Sequence, residues 1–366
     1  MMVKHYDSKV GISYMGLVYP YGGATELPGY RGISHLMEHL MCKTYDDLRC
    51  ELRSSGIVTN AYTSNLKTVF WFKGLDEELI KFQQKLLDGF VEQNKLWTKE
   101  EFEAEKKTVI QEYKDCFNDQ LIGSIYNFSR KHYGEFGPIG LLIDIESFTY
   151  EESIEMAKNY KVNFDLYTVG NKLLNETNED INLYENHEVL FNEQGYPNPI
   201  DKVIKEDKTV VGLISKKVIG IDRVSKIDLI IGCINQGLES PLYQEIREKR
   251  GLSYYSYGYC EGYSKSFFPF FFSCTTNDRV DELKNVYVDF FSKDLKDIVS
   301  KERFEVCKQN KKIKEKMNRI LFHDGINIIE LSDYNPYEGI SELSYDDAIE
   351  LSSEYLNKDN LFLVSY

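Results

Sequence analysis

The stretch TYEESIEMAKNYKVNFDLYTV, Thr149 to Val169, returns in altered form as SYDDAIELSSEYLNKDNLFLV, Ser344 to Val364, without a gap and at an offset of 195 residues. Tyr150 falls on Tyr345, Ile154 on Ile349, Tyr160 on Tyr355, Leu166 on Leu361 and Val169 on Val364, while Glu151 and Glu152 fall on Asp346 and Asp347. Each copy reads as a helix followed by a short strand. Two unrelated amphipathic helices would share part of this pattern by chance. The same offset also puts Gly56 on Gly251 and Tyr62 on Tyr257, so a duplicated domain is the stronger reading. A chain of 366 residues has room for about two domains that each bury a core. The expected organisation is a first domain over 1–175, an approximate linker over 176–205 and a second domain over 206–366.

Outward from the first copy, Val10 to Pro20 is rich in Val, Ile, Tyr and Leu and reads as a strand. Gly22 to Gly29 reads as a loop, and a helix follows from about Gly32 to Cys42 with Leu36, Met37, Leu40 and Met41 as its apolar side. Tyr45 to Ser55 reads as a second helix stopped by Gly56. Strand signals run through Val58 to Phe72. Leu75 to Gln93 is amphipathic, with Leu79, Phe82, Leu86, Phe90 and Val91 near one stripe. Thr98 with Glu101 three residues later is a capping box that opens a helix running through Lys114 or beyond. From Gly170 to Lys208 the chain turns polar, which is where the boundary between the domains belongs.

The formal net charge of −15 argues against a nucleic-acid partner, because phosphate binding needs a basic face. It suits neutral or basic peptides, and equally a solvated acidic surface. The cysteines stand singly at 42, 50, 116, 233, 260, 274 and 307, an odd number without a C-x-x-C pair, which reads as reduced thiols of an intracellular protein. Met1 to Val18 lacks the shape of a signal peptide, and no stretch approaches the roughly 18 apolar residues of a membrane span. A cytoplasmic protein with no membrane partner is expected.

The chemistry gathers at His35-Leu36-Met37-Glu38-His39. On a helix, two imidazoles four apart lie on one face, and Glu38 sits three after His35 on the same side. Two neutral imidazoles can bind zinc, and a carboxylate beside them can take a proton from water. Glu105 and Glu112 stand seven apart on the capped helix and so project from one face, with Val109 between them. They are either a solvated pair on a charged helix or carboxylates that a partner ion offsets. At the offset of 195, His35, Glu38 and His39 fall on Ile230, Cys233 and Ile234, and Glu105 and Glu112 on Ser300 and Cys307. The second half therefore lacks the whole set.

Taken together these residues resemble the pitrilysin/insulinase family of inverted-motif zinc peptidases, which includes the short, half-clamshell mitochondrial processing peptidase. The resemblance begins with Gly22-Gly23-Ala24-Thr25-Glu26 and Gly32-Ile33-Ser34 leading into the His-Glu-His run. It continues through Asn60-Ala61-Tyr62-Thr63 with Thr68, the Glu105/Glu112 spacing, and Tyr133-Gly134 to Gly140. In the second half it includes Arg247 with Tyr254 seven residues later. The run after His39, Met41-Cys42-Lys43-Thr44, departs from the family's usual Phe-Lys-Gly-Thr, and the chain is shorter than most members.

The resemblance implies an α+β fold of two homologous domains, each an antiparallel-rich sheet with helices packed on one face. It implies one Zn2+ per chain, held by His35, His39 and Glu112, with Glu38 as general base and Glu105 supporting the site. Asn60 and Ala61 are then a substrate-binding strand edge, and Arg247 and Tyr254 hold the substrate carbonyl. The implied activity is that of a zinc-dependent endopeptidase acting on peptides or unfolded segments. Members without catalysis, kept as assembly subunits, and processing peptidases dedicated to one partner protein are the alternatives. A half-clamshell chain implies pairing, as a homodimer or as a heterodimer with a paralogue. His5, His132, His187 and His323 lie outside every motif and read as surface or structural.

Overall fold

The computed structural model describes residues 3–7, 11–92, 96–160, 163–170, 190–197, 199–203, 207–263, 266–321 and 337–365. The first half reads, in chain order, β1 (Val3–Asp7), β2 (Ile12–Tyr19), α1 (Ile33–Met41), α2 (Arg49–Ser54), β3 (Val58–Thr63), β4 (Thr68–Leu75), α3 (Asp76–Glu92) and α4 (Lys99–Asn118). It continues with α5 (Gln120–Tyr133), α6 (Leu142–Ser147), α7 (Tyr150–Tyr160) and β5 (Asp165–Gly170). The second half carries β6 (Lys208–Ser215), α8 (Val224–Asn235), β7 (Ser256–Tyr263), β8 (Ser266–Thr276), α9 (Val280–Phe291), α10 (Lys301–Leu321), α11 (Tyr345–Tyr355) and β9 (Leu361–Ser365).

These elements form two compact units. One is Met1–Lys114 with Phe136–His187 and Met317–Asp333; the other is Asp115–Glu135 with Glu188–Lys316 and Tyr334–Tyr366. The first sheet has the order β1-β5-β2-β4-β3, antiparallel except for the parallel pair β1–β5. The second has the order β7-β8-β6-β9 and is antiparallel throughout. Read from the other end, β9-β6-β8-β7 repeats β5-β2-β4-β3, which is the duplication seen as topology. The two copies of the repeated segment also start alike. Thr149 and Glu152 form a capping box at α7, and Ser344 and Asp347 form one at α11.

In the first unit α3 lays its buried stripe of Leu79, Phe82, Leu86 and Phe90 against the sheet. The Phe90 ring lies 5.0 Å from Phe70 and 5.3 Å from Tyr45, which joins the strand to the helix face through aromatic contacts. Val91 of the expected stripe has a side chain outside the described residues. The helix expected over Tyr45 to Ser55 divides: Cys42–Leu48 is a tight 3-10 turn, α2 covers only Arg49–Ser54, and Gly56 follows at φ 70°.

In the second unit the aromatic run of β8 has partners on both faces. Phe267 and Phe271 join the core with Ile230, Ile234, Phe290 and Phe291 beneath the helices. Phe268 and Phe272 point the other way and meet α5, at 4.2 Å from Tyr133 and stacked 5.2 Å from Phe128. The second sheet therefore has a helix on its other face as well. This is why Asp115–Glu135, placed in the first domain by the sequence reading, groups with the second unit. Asp119 caps α5 by accepting the Ile122 N–H, and Tyr133 Oη donates to the Ser215 carbonyl at 2.8 Å. Most of the expected linker lies outside the described residues; its described part belongs to the second unit. Among the described residues no helix is long and apolar enough to cross a membrane.

Candidate metal centre

α1 is fixed at both its start and its underside. Gly32 enters it at φ 91°, a conformation glycine adopts without strain. The Glu26 carboxylate accepts the Gly32 N–H at 2.5 Å and the Ser34 N–H at 2.6 Å, satisfying donors that a helix start leaves open. Ile33, Leu36, Met37, Leu40 and Met41 are buried, which turns His35, Glu38 and His39 to the opposite stripe. The backbone at Gly140 packs so closely here that a Cβ on it would stand 2.1 Å from the Gly32 nitrogen.

α4 faces this stripe. Its capping box is formed, with the Thr98 N–H donating to Glu101 at 2.7 Å and the Glu101 N–H to Thr98 at 3.2 Å. Val109 is fully buried and orients the helix so that Glu105 and Glu112 reach α1. Glu112 Oε2 lies 3.2 Å from His35 Nε2 and 3.7 Å from His39 Nε2. Glu105 Oε2 lies 3.1 Å from His39 Nδ1, and its other oxygen pairs with Lys43 at 2.8 Å.

Two imidazole nitrogens and a carboxylate oxygen that close are joined either by an N–H···O hydrogen bond or by a shared metal ion. Tetrahedral zinc with bonds of roughly 2.0–2.1 Å places its ligand atoms about 3.3–3.4 Å apart. The spacings of 3.2 and 3.7 Å from Glu112 bracket that range, and ligand atoms of His35, His39 and Glu112 all lie within 4.8 Å of one another. The contact with Glu105 occupies Nδ1 of His39 and leaves Nε2 toward Glu112, the arrangement by which carboxylates orient metal-binding imidazoles. Nδ1 of His35 is buried without a hydrogen-bond partner among the described residues.

Glu38 stands beside this group, with Thr63 Oγ1 donating to its Oε2 at 2.7 Å. Burial pushes the Glu38 carboxyl above the ordinary range, against the pull of Thr63 and the two imidazoles. The hydrogen bond with His35 holds Glu112 below it. Burial acts upward on Glu105, but its bonds with Lys43 and His39 outweigh that and hold it low.

The profile described as "Insulinase (Peptidase family M16)" matches residues 1–126, and the one described as "Peptidase M16 inactive domain" matches residues 173–311. The chain belongs to the insulinase (M16) peptidase family. An uncharacterized zinc protease of Rickettsia bellii is 28% identical over 303 residues, covering 76% of this chain and 72% of that one. The zinc protease PqqE of Helicobacter pylori is 24% identical over 338 residues, covering 84% and 74%. The crystal structure of a protease from Helicobacter pylori shares the fold, with a TM-score of 0.78 at 18% identity over 99% of this chain and 96% of that one.

In this insulinase-family chain the group of His35, His39 and Glu112 falls within the first profile and the second half carries the inactive-domain match. The interior of the α8–α10 pair is accordingly apolar: Ile230, Cys233, Ile234 and Phe304 are buried, and Cys307 packs against them. The offset of 195 does not hold through this region, because β8 has 11 residues where β4 has 8 and α10 starts later than the offset implies.

Asn60 and Ala61 lie on β3, which pairs only with β4 among the described residues and so ends the first sheet. Arg247 and Tyr254 lie in the second unit and meet each other, with the guanidinium 4.2 Å above the Tyr254 ring. His5 bonds Thr168 at 2.8 Å, and His132 is buried and bonds the Asn192 carbonyl at 3.0 Å. His187 and His323 fall outside the described residues.

Three site residues carried no role in the sequence reading. Thr63 and Glu26 stand inside quoted motifs, and their signal was the oxygen-bearing side chain itself. Lys43 is one of the residues by which the chain departs from the family, and it is the residue that pairs Glu105.

Proposed function

We propose that the chain is a zinc-dependent endopeptidase that hydrolyses peptides or unfolded segments. The observation that carries this is the convergence of His35, His39 and Glu112 on one point with the Glu38 carboxylate beside it. A zinc ion held by those three residues supplies Lewis acidity, polarising the scissile carbonyl and lowering the pKa of water. Thr63 fixes Oε2 of Glu38, which leaves Oε1 to take the proton from water and return it to the leaving amine. Glu105, tied to Lys43, keeps the His39 ring turned to the site. The open edge of β3 at Asn60 and Ala61 offers the substrate backbone a strand to pair with.

The first half is the catalytic half in this reading, and Arg247 and Tyr254 of the second hold the substrate carbonyl. We assign that contact to a second copy of the chain in a homodimer; light scattering on purified protein checks the oligomeric state. Seven free cysteines suit a cytoplasmic location.

Metal analysis and peptide cleavage by the wild type and Glu38→Gln test the assignment. The wild type should hold one zinc and cut, and Glu38→Gln should keep the zinc and lose about 100- to 10,000-fold in kcat. A protein that binds no zinc, or cuts equally well with Gln at 38, is not this enzyme. It would then be an assembly subunit of the family.

A further inference from the structure

A cavity of about 610 Å³ opens beside Glu38 and His39 and runs along the edge of β3 at Val58 to Ala61. Its apolar lining comes from Tyr45, Leu52 and Ile57, which are buried. Its basic lining comes from Lys43, Arg49 and Arg53. Two of these cations already have acids: Lys43 pairs with Glu105 at 2.8 Å and Arg49 with Asp46 at 2.5 Å. Arg53 has no acid partner among the described residues, although it lines a cavity in a protein with a net charge of −15.

A peptide paired with β3 alternates its side chains, so one residue next to the scissile bond enters this cavity while its neighbours point away. We infer that the cavity selects a substrate residue with an acidic side chain, whose methylenes lie on Tyr45, Leu52 and Ile57 and whose carboxylate meets the Arg53 guanidinium. The inference rests on the peptidase reading and deepens it. Arginine suits the task because its planar fork takes a carboxylate through two parallel bonds. The acidic surface of the whole chain does not decide the matter, since salt screens exposed charges beyond about 8–10 Å. Contact inside the cavity does. The preference runs opposite to the basic peptides that overall charge suggests.

The test uses zinc-loaded full-length protein and peptides that differ at one residue, with Glu, Leu or Lys placed in turn on each side of the scissile bond. At one of the two positions Glu should exceed Lys about 10- to 100-fold in kcat/KM, the factor expected of one charged hydrogen-bonded contact. Arg53→Gln should flatten that ratio and Arg53→Glu should invert it. Arg53 is exposed on α2, so thermal unfolding of both variants should match the wild type and show that the fold is intact. A preference for Leu over Glu, or a Glu-to-Lys ratio that Arg53→Glu leaves unmoved, overturns the assignment of the cavity while the peptidase reading stands. If zinc-loaded wild type cuts none of the peptides, the peptidase reading itself fails.

Discussion

Glu26 is hydrogen-bonded to none of His35, His39 and Glu112, yet the helix that carries the two histidines starts on it. Glu26→Ala takes the acceptors from two backbone donors, the N–H groups of Gly32 and Ser34. Each donor left unpaired costs about 1–3 kcal/mol, so the substitution should destabilise the first unit by about 2–6 kcal/mol. Glu26→Gln keeps one oxygen and should cost about 1–3 kcal/mol near pH 5.5.

The two variants separate further with pH. Burial pushes the Glu26 carboxyl up to about 8, against the pull of the two N–H donors. The folded wild type then keeps a proton that the unfolded chain gives up above its ordinary value of 4.5. Stability from this source is present in full below pH 4.5 and is lost as pH rises through about 8. The gap sets a ceiling of about 5 kcal/mol. Glu26 keeps part of its surface exposed, so about 1–3 kcal/mol is expected. Gln does not titrate, and the deficit of Glu26→Gln should therefore shrink between pH 5.5 and 8.5. Urea unfolding followed by tryptophan fluorescence reads the right region, because both tryptophans, Trp71 and Trp97, lie in the first unit. The reasoning is refuted if Glu26→Ala costs no more than a change at exposed Glu100. A Glu26→Gln deficit that grows with pH refutes it too, since the fold would then prefer the carboxylate.

Three further outcomes follow from named contacts. Glu105→Gln should weaken zinc binding about 10- to 100-fold in competition with a chelator, because it loses the Lys43 pair and loosens His39. Gly140→Ala should abolish soluble expression, as its Cβ would sit 2.1 Å from the Gly32 nitrogen and Gly140 has φ +63°. Phe128→Ala should cost about 3–5 kcal/mol in thermal or urea unfolding, since α5 fills one face of the second sheet with a ring that is fully buried.

What could be read from the sequence was what local chemistry writes. The capping box at Thr98 and Glu101 and the heptad spacing of Glu105 and Glu112 need only neighbouring residues, and they bring Glu112 to His35. The repeated helix–strand segment gave the duplication, because both copies keep a capped start and a strand in the same place. What was missed depends on distant pairing. β1 joins its sheet by lying parallel to β5, more than 150 residues along the chain. α5 went unread because its apolar face is aromatic and its partner is a strand in the other half. The continuous run of Phe267 to Phe272 did carry a signal, since a strand apolar on both faces needs cover on both. Tyr45 to Ser55 has helix-forming composition, but the chain tightens there into a 3-10 turn before α2.

The apolar interior of the α8–α10 pair bears on how the two halves are free to change. The same helix-on-sheet frame folds with Ile230, Ile234 and Phe304 inside one copy and with imidazoles and carboxylates in the other. The frame therefore does not require the charged cluster, and partly buried charges weaken a fold wherever apolar groups could stand instead. In the proposed reading one copy is left to supply cohesion while the other carries the chemistry at some cost to its own stability. Apart from the Lys311–Asp228 pair and the Arg303 bond to the Cys233 carbonyl, substitutions between α8 and α10 need conserve only apolar volume, whereas in the proposed reading those between α1 and α4 must conserve individual atoms. Duplication has given this chain two interiors under different rules, and sequence drift among its relatives should be correspondingly uneven between the halves.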